Sequence, residues 1–237
     1  MTFDPSLDQP SSPRGHRCRT IAFTSGKGGV GKSNLVLNTG LLLARHGRRV
    51  ALLDGDLGLA NLSEEERQEL FEQLHDIEAS VDFLLIDTGA GISDTVLSLI
   101  LASDESVVVT QPEPTALAAA YALMKLVIQQ FPAYPFHVLI NMVRDAKQAR
   151  QVQRSLAEIL MRFLGYTPGD AGFVVMDSWV AQAVVQQVPF TTLAPRAPAS
   201  RCVEDLVDRL VGPGRTDAAI PGKTFWERVS EGPWRLT

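Results

Sequence analysis

The stretch TSGKGGVGKSN, Thr24 to Asn34, decides the fold of this chain. Within it, Gly26-Lys27-Gly28-Gly29-Val30-Gly31-Lys32-Ser33 fits G-x-x-x-x-G-K-[ST], a phosphate-binding loop that carries weight only between a strand and a helix. Both flanks qualify. Arg19 to Thr24 (RTIAFT) reads as a short apolar strand, and Asn34 to His46 reads as a helix that Gly47 ends. Glycines let the backbone curl so that successive N–H groups face phosphate oxygens. The helix beginning near Lys32 adds its positive end. Lys32 is then expected at the β- and γ-phosphates and Ser33 at Mg²⁺. Lys27 is unexplained by the ordinary loop, which needs one lysine.

Working outward, further apolar strands read at RVALLD (49–54), VDFLLID (81–87), SVVVT (106–110), HVLINMV (137–143) and AGFVVM (171–176). Helices read over 115–130, 149–164, 179–187 and 200–211, and a capping box, Ser63 with Glu66, opens another. On that helix Leu70, Phe71, Leu74 and Ile77 fall on one face. Short buried strands alternating with helices predict an α/β domain, a mostly parallel sheet with helices on both faces. The domain is expected over 20–212, after a loose tail at 1–19 and before a Gly, Pro and charge-rich tail at 213–237. A net charge of -5 argues against a chain-wide basic surface for nucleic acid. Two distant cysteines, Cys18 and Cys202, fit a reducing, cytoplasmic setting and give no cysteine-based metal site.

Ligands of open α/β sheets sit outside the carboxyl ends of the strands. Asp54 and Asp56, in DGDLGLANL, are therefore expected to face the phosphates. Asp87 ends the hydrophobic strand FLLID, as an aspartate holding Mg²⁺ does, and the glycine loop Thr88–Gly91 follows it. Asn141 lies inside an apolar strand, where a buried amide needs partners. Its alternative is a cap or turn residue.

With Lys27 in view, the chain resembles the deviant Walker A ATPases of the MinD/ParA family. Several stretches are similar to its flagellar-number branch, FlhG (FleN, YlxH): DGDLGLANL, LLIDTGAGISDTVL (84–97), VVVTQPEPTALAAAYALMKL (107–126), NMV (141–143) and AVVQQVPFTTLAPRAPASR (183–201). The resemblance covers roughly residues 18 to 211. It implies a P-loop NTPase that binds ATP through Gly26–Asn34, with Mg²⁺ held by Ser33, Asp54 and Asp87. It implies that Lys27 reaches the nucleotide of a second subunit, that Asp56 orients the attacking water and that Asn141 reads the adenine edge. The implied catalytic set is Lys27, Lys32 and Asp56. The implied function is a slow, dimer-dependent ATPase switch that sets flagellar number or placement. Its implied partners are a second copy, the GTPase FlhF, a flagellar transcription activator, flagellar switch-complex proteins and the inner face of the membrane.

Two departures from the family pattern bear on this. Asn61-Leu62 runs almost directly into Ser63, where the family carries several dozen more residues, so hydrolysis and dimerisation are at stake more than ATP binding. In Asp8–Arg14, Pro10 and Pro13 replace the alanine and leucine of the family's partner-activating helix, which weakens that expectation. At the other end, Lys223–Val229 can form a short amphipathic helix with Phe225, Trp226 and Val229 on one side. It reads either as a membrane contact or as a tail whose aromatics pack back on the domain. A ParA-like DNA-positioning ATPase and a non-hydrolysing ATP-binding module are the competing functions. Arg144, Lys147, Arg150 and Arg154 are the modest basic cluster available to the first.

Overall fold

A computed structural model describes residues 17–55, 74–212 and 223–231. Among these residues the strands are β1 (Arg19–Ser25), β2 (Val50–Asp54), β3 (Phe83–Ala90), β4 (Glu105–Thr110), β5 (Phe136–Val143) and β6 (Gly169–Val175). They form one sheet in the order β2-β3-β1-β4-β5-β6, and every neighbouring pair is parallel. The helices are α1 (Lys32–Arg45), α2 (Asp94–Ala102), α3 (Pro114–Gln130), α4 (Ala146–Leu164), α5 (Ser178–Gln186), α6 (Phe190–Leu193), α7 (Pro198–Val211) and α8 (Phe225–Glu231). Residues 74–80 are also helical.

Side-chain alternation along each strand splits the core in two. Ile21, Phe23, Leu85, Val107 and Val109 point to one face and pack with Leu35 and Leu43 of α1 and Val203 and Leu206 of α7. Val108, Val138 and Ile140 point to the other, against Ile100, Leu123, Val127, Leu156 and Leu160. All six residues of β4 are buried, and its centre is the apolar run Val107-Val108-Val109 where a strand with one solvent face would alternate. The chain leaves central β1 to build one half of the sheet through β2 and β3 and the other through β4 to β6. The crevice where the order reverses lies at the carboxyl end of β1, where the glycine loop begins.

The expected strands are present within a few residues, and β3 runs on through the glycine-containing TGA. Helix α2, capped by Ser93 onto the Val96 N–H, was not anticipated. Of the four apolar residues expected on one helical face, Leu70 and Phe71 lie outside the described residues, as does the capping box. Leu74 packs against the core while Ile77 is 46% exposed.

Cys18 departs from the expected loose N-terminal tail, and the C-terminal aromatics follow the second of their two readings, packing back on the domain. Cys18 is buried beside Ala22, Leu84, Ile86, Leu99 and Ala102, and this cluster is completed by Phe225 and Trp226 of α8. Both aromatics are therefore turned inward in this structure and not toward a membrane. Arg228 of α8 donates from Nη1 to Asp104 (3.0 Å) and from Nη2 to Thr20 Oγ1 (3.2 Å). Burial pushes the Cys18 thiol up to about 12, so it behaves as a small apolar side chain rather than a nucleophile.

Glu78 accepts the Phe225 N–H at 2.9 Å, capping the first turn of α8 from the helical stretch 74–80. Desolvation, opposed by this bond, one from the Trp226 N–H and the charge of Arg228, raises its carboxyl pKa above the usual 4.5. A carboxyl raised on folding adds stability that is complete below its unfolded value and is lost as pH rises through the folded one. Wild type is therefore expected to lose stability relative to Glu78→Gln as pH rises through the raised value. Denaturant midpoints of the two proteins, taken from pH 4 to pH 8, check this; parallel curves would contradict it.

Candidate nucleotide site

The glycine loop is shaped by contacts that a side chain would break. Gly29 and Gly31 have φ of 78° and 85°, a region that favours glycine. A Cβ on Gly26 would lie 2.2 Å from the carbonyl oxygen of Ala119, so the loop's entry rests directly on the backbone of α3. Gly31 precedes the first turn of α1, and its own Cβ would meet Asn141 Nδ2 at 2.5 Å. The same logic explains the glycine of the DGD run. A Cβ on Gly55 would lie 2.6 Å from Leu99 Cδ1, and the Gly55 N–H donates to the Asp87 carbonyl at 2.8 Å.

These elements wall a cleft of about 1010 Å³. At one end stand Gly28 to Ser33, Asp54 and Asp87 to Ala90. Asp54 and Asp87 pair in register at the ends of adjacent β2 and β3. Lys32 Nζ donates to the Asp87 carboxylate and to the Thr88 carbonyl. The cleft thus holds a paired cation and anion where a nucleotide's phosphates and its metal would lie. Away from the loop the lining is apolar, with Val174, Val175, Met176, Val180, Val184 and Phe190 and the polar side chain of Asp177, while Asn141 lines the cleft against the loop itself.

Lys27 is placed apart from Lys32. Its Nζ donates to Glu113 Oε2 at 2.7 Å and to Thr115 Oγ1 at 3.3 Å, on the surface at the start of α3. The two lysines of one loop therefore face different partners, one inside the cleft and one outside it.

Asn141 is buried, with Nδ2 donating to the Val30 carbonyl (2.7 Å) and Oδ1 accepting the Met142 N–H (2.9 Å). The sequence expectation of a buried amide with partners holds, and the partner is the glycine loop itself. Ser33 and Asn34 line the cleft. Asp56 lies outside the described residues. The reading of the sequence missed four residues. Gln111 donates to the Gly29 carbonyl, and Met142 sits at φ 57° beneath the loop. Asp177 accepts the Trp179 and Ala199 N–H groups at the apolar end, and Glu113 holds Lys27. Only Asp177 carried a local signal, as a helix cap before Ser178. The other three act through contacts that join segments far apart in sequence.

Among the described residues no group of three or more His, Cys, Asp and Glu side chains could hold a metal unaided. The donor set nevertheless suits Mg²⁺, which is held by one or two carboxylates together with substrate phosphates. Asp54, Asp87 and the Ser33 hydroxyl line the same end of the cleft. No helix among the described residues is long and apolar enough to cross a membrane.

The model of the CobQ/CobB/MinD/ParA nucleotide binding domain matches residues 21–199. The antiactivator FleN of Pseudomonas aeruginosa is 33% identical over 233 residues, covering 78% of this chain and 83% of FleN. The flagellum site-determining protein YlxH of Helicobacter pylori is 28% identical over 269 residues, covering 88% of each. That aligned length exceeds the 237 residues of this chain, so YlxH carries residues with no counterpart here. Among solved structures, MinD in the MinC:MinD complex of Aquifex aeolicus superposes with a TM-score of 0.65 at 22% identity, covering 87% of this chain and 99% of that one. The septum site-determining protein MinD of Pyrococcus horikoshii, complexed with Mg-ADP, has a TM-score of 0.65 at 18% identity, covering 82% and 96%. Both establish the likeness of fold.

Proposed function

The chain belongs to the CobQ/CobB/MinD/ParA nucleotide-binding family, and on that footing we propose that it is an ATP-hydrolysing dimerisation switch controlling flagellar number or placement. The observation that carries the reading is the division of labour between Lys32 and Lys27. Lys32 faces its own cleft, paired with Asp87. Lys27 is turned outward and held by a surface glutamate, where it is available to a second subunit. Surface ion pairs are weak, about 1 kcal/mol or less, so the phosphates of a partner's ATP can outcompete Glu113.

In this proposal the N–H groups of the glycine loop and Lys32 bind the triphosphate. Asp54, Asp87 and Ser33 hold Mg²⁺, which neutralises charge on the phosphates when bound. Asp56 orients a water toward the γ-phosphorus, and the bond to the β-phosphate oxygen breaks to give ADP and phosphate. Lys27 of each subunit stabilises the charge developing in the other's site. The similarity to FleN and YlxH supports a flagellar role. A flagellar transcription activator is a proposed partner because FleN is an antiactivator. The GTPase FlhF and flagellar switch-complex proteins are proposed on the resemblance of the sequence motifs alone. The domain is proposed to be the ATPase core at 20–212, extended here by Cys18 and α8. It is proposed to act in the cytoplasm, with any membrane contact requiring α8 to leave the core.

Dimer dependence has a direct consequence for turnover. Phosphate released per subunit is expected to rise with protein concentration until the dimer saturates. A rate per subunit that stays constant on dilution would identify a monomeric ATPase. Bound ATP without phosphate release would identify a non-hydrolysing module.

A second reading has one observation in its favour. Lys147, Arg150 and Arg154 share an exposed side of α4 and line a shallow groove with Gln151, Ser155 and Glu158. A DNA-positioning ATPase would use such a stripe, and its mark would be ATP-dependent DNA binding that falls steeply with salt.

A further inference from the structure

A loop that aims its N–H groups at a phosphate turns the carbonyls of the same peptides away from it. Where the floor beneath the loop is buried, those carbonyls need donors. Two carbonyls of the glycine loop find side-chain amides there. Gln111 Nε2 donates to the Gly29 carbonyl at 3.2 Å, and Asn141 Nδ2 donates to the Val30 carbonyl at 2.7 Å. Gln111 is 8% exposed and Asn141 6%, so water is a poor substitute for either.

The two amides come from neighbouring strands, Gln111 from just past the end of β4 and Asn141 from within β5. A local irregularity sets their positions. The register between β5 and β6 shifts between Ile140 and Val143, and Met142 takes φ 57°. This leaves the Met142 N–H to donate to Asn141 Oδ1 at 2.9 Å, which fixes the amide with its nitrogen toward the loop. Met142 Sδ lies 3.0 Å from Gln111 Nε2, joining the two amides into one floor. A methyl on Gly31 would collide with that floor at Asn141 Nδ2.

We infer that Gln111 and Asn141 are positioning residues of the phosphate loop, whose amides hold the Gly29 and Val30 carbonyls inward and so preset the opposite N–H groups for a triphosphate. The inference rests on the ATP-binding reading and deepens it. It also gives Asn141 a role separate from the adenine contact that the family resemblance implies. A base reader acts on affinity through the base. A positioning residue acts through the phosphates.

Tripolyphosphate separates the two, because it has the phosphates and no base. Calorimetric titration of the full chain, Gln111→Met and Asn141→Ala with Mg-ATP and with Mg-tripolyphosphate makes the test. Each variant is expected to lose affinity for both ligands by the same factor, about ten-fold, because an unpartnered carbonyl turns outward and the loop must reorganise to bind. The melting temperatures of the ligand-free proteins are expected to fall by only about a few degrees, the effect of one or two lost buried hydrogen bonds, with the folded state retained. If Gln111→Met does not fold, Gln111→Ala carries the same comparison. Unchanged tripolyphosphate affinity in the variants overturns the inference, and for Asn141 a loss confined to ATP assigns it to the base. Wild type that binds ATP without measurable affinity for tripolyphosphate also overturns it, since a preset loop needs no base. Wild type that binds neither ligand overturns the ATP reading beneath it as well.

Discussion

Lys32→Ala is expected to weaken Mg-ATP binding by about 100-fold or more, roughly 3 kcal/mol, and to abolish hydrolysis. Lys32 is 11% exposed and is the cation that faces Asp87 in the cleft. Removing it takes away charge-assisted bonds to the phosphates, which are stronger than neutral ones. It also leaves the Asp87 carboxylate without this partner beside an incoming polyanion, so attraction turns to repulsion. Lys32→Arg is expected to rescue poorly, because a planar fork does not fit where a compact ammonium meets both Asp87 and the Thr88 carbonyl. Titration with a fluorescent ATP analogue reads the loss. Binding within a few-fold of wild type would remove Lys32 from the phosphate site.

Phe225→Ala is expected to destabilise the whole domain by about 3–5 kcal/mol, the range for truncating a buried phenylalanine. Phe225 is fully buried and meets Trp226 edge-on, ring centroids 4.8 Å apart. It fills space between β1, β3 and α2, against Ala22, Leu84, Ile86 and Leu99. The polar partners of α8 draw on three distant segments: Glu78 at its first turn, and Thr20 and Asp104 at Arg228. Urea denaturation of the full chain measures the change. A free tail predicts no shift in the midpoint, so an unchanged midpoint would remove α8 from the core.

The central architecture was legible because its signals are local. The glycine loop announces its strand and helix, and continuous apolar runs such as SVVVT announce strands buried on both faces. The placing of Lys32, Ser33, Asp54 and Asp87 around one cleft follows from strand ends in a parallel sheet. What was not legible depends on contacts between remote segments. Phe225 and Trp226 are the residue types that suit a membrane interface and a core equally well, and the cluster that decides between them comes from residues 18 to 102. The tail reading of Cys18 failed for the same reason. Glu113 lies 86 residues from the lysine it holds. Gln111 and Met142 acquire their places from the packing of β4 and β5 beneath the loop, and the left-handed backbone at Met142 has no marker in its residue type. Helix α2 has a local signal in its Ser93 cap, but its short apolar run DTVLSLILA carries little polar alternation to mark a helical face.

Solution mass by light scattering tests the two-lysine switch most directly, with wild type and Lys27→Ala each in Mg-ATP and in Mg-ADP. Wild type is expected at twice the 25.8 kDa subunit mass in ATP and at the subunit mass in ADP. Lys27→Ala is expected to bind ATP and remain a monomer in both. A wild type that binds ATP yet stays monomeric, or a Lys27→Ala protein that dimerises like wild type, would contradict the assignment of Lys27 to a partner's nucleotide.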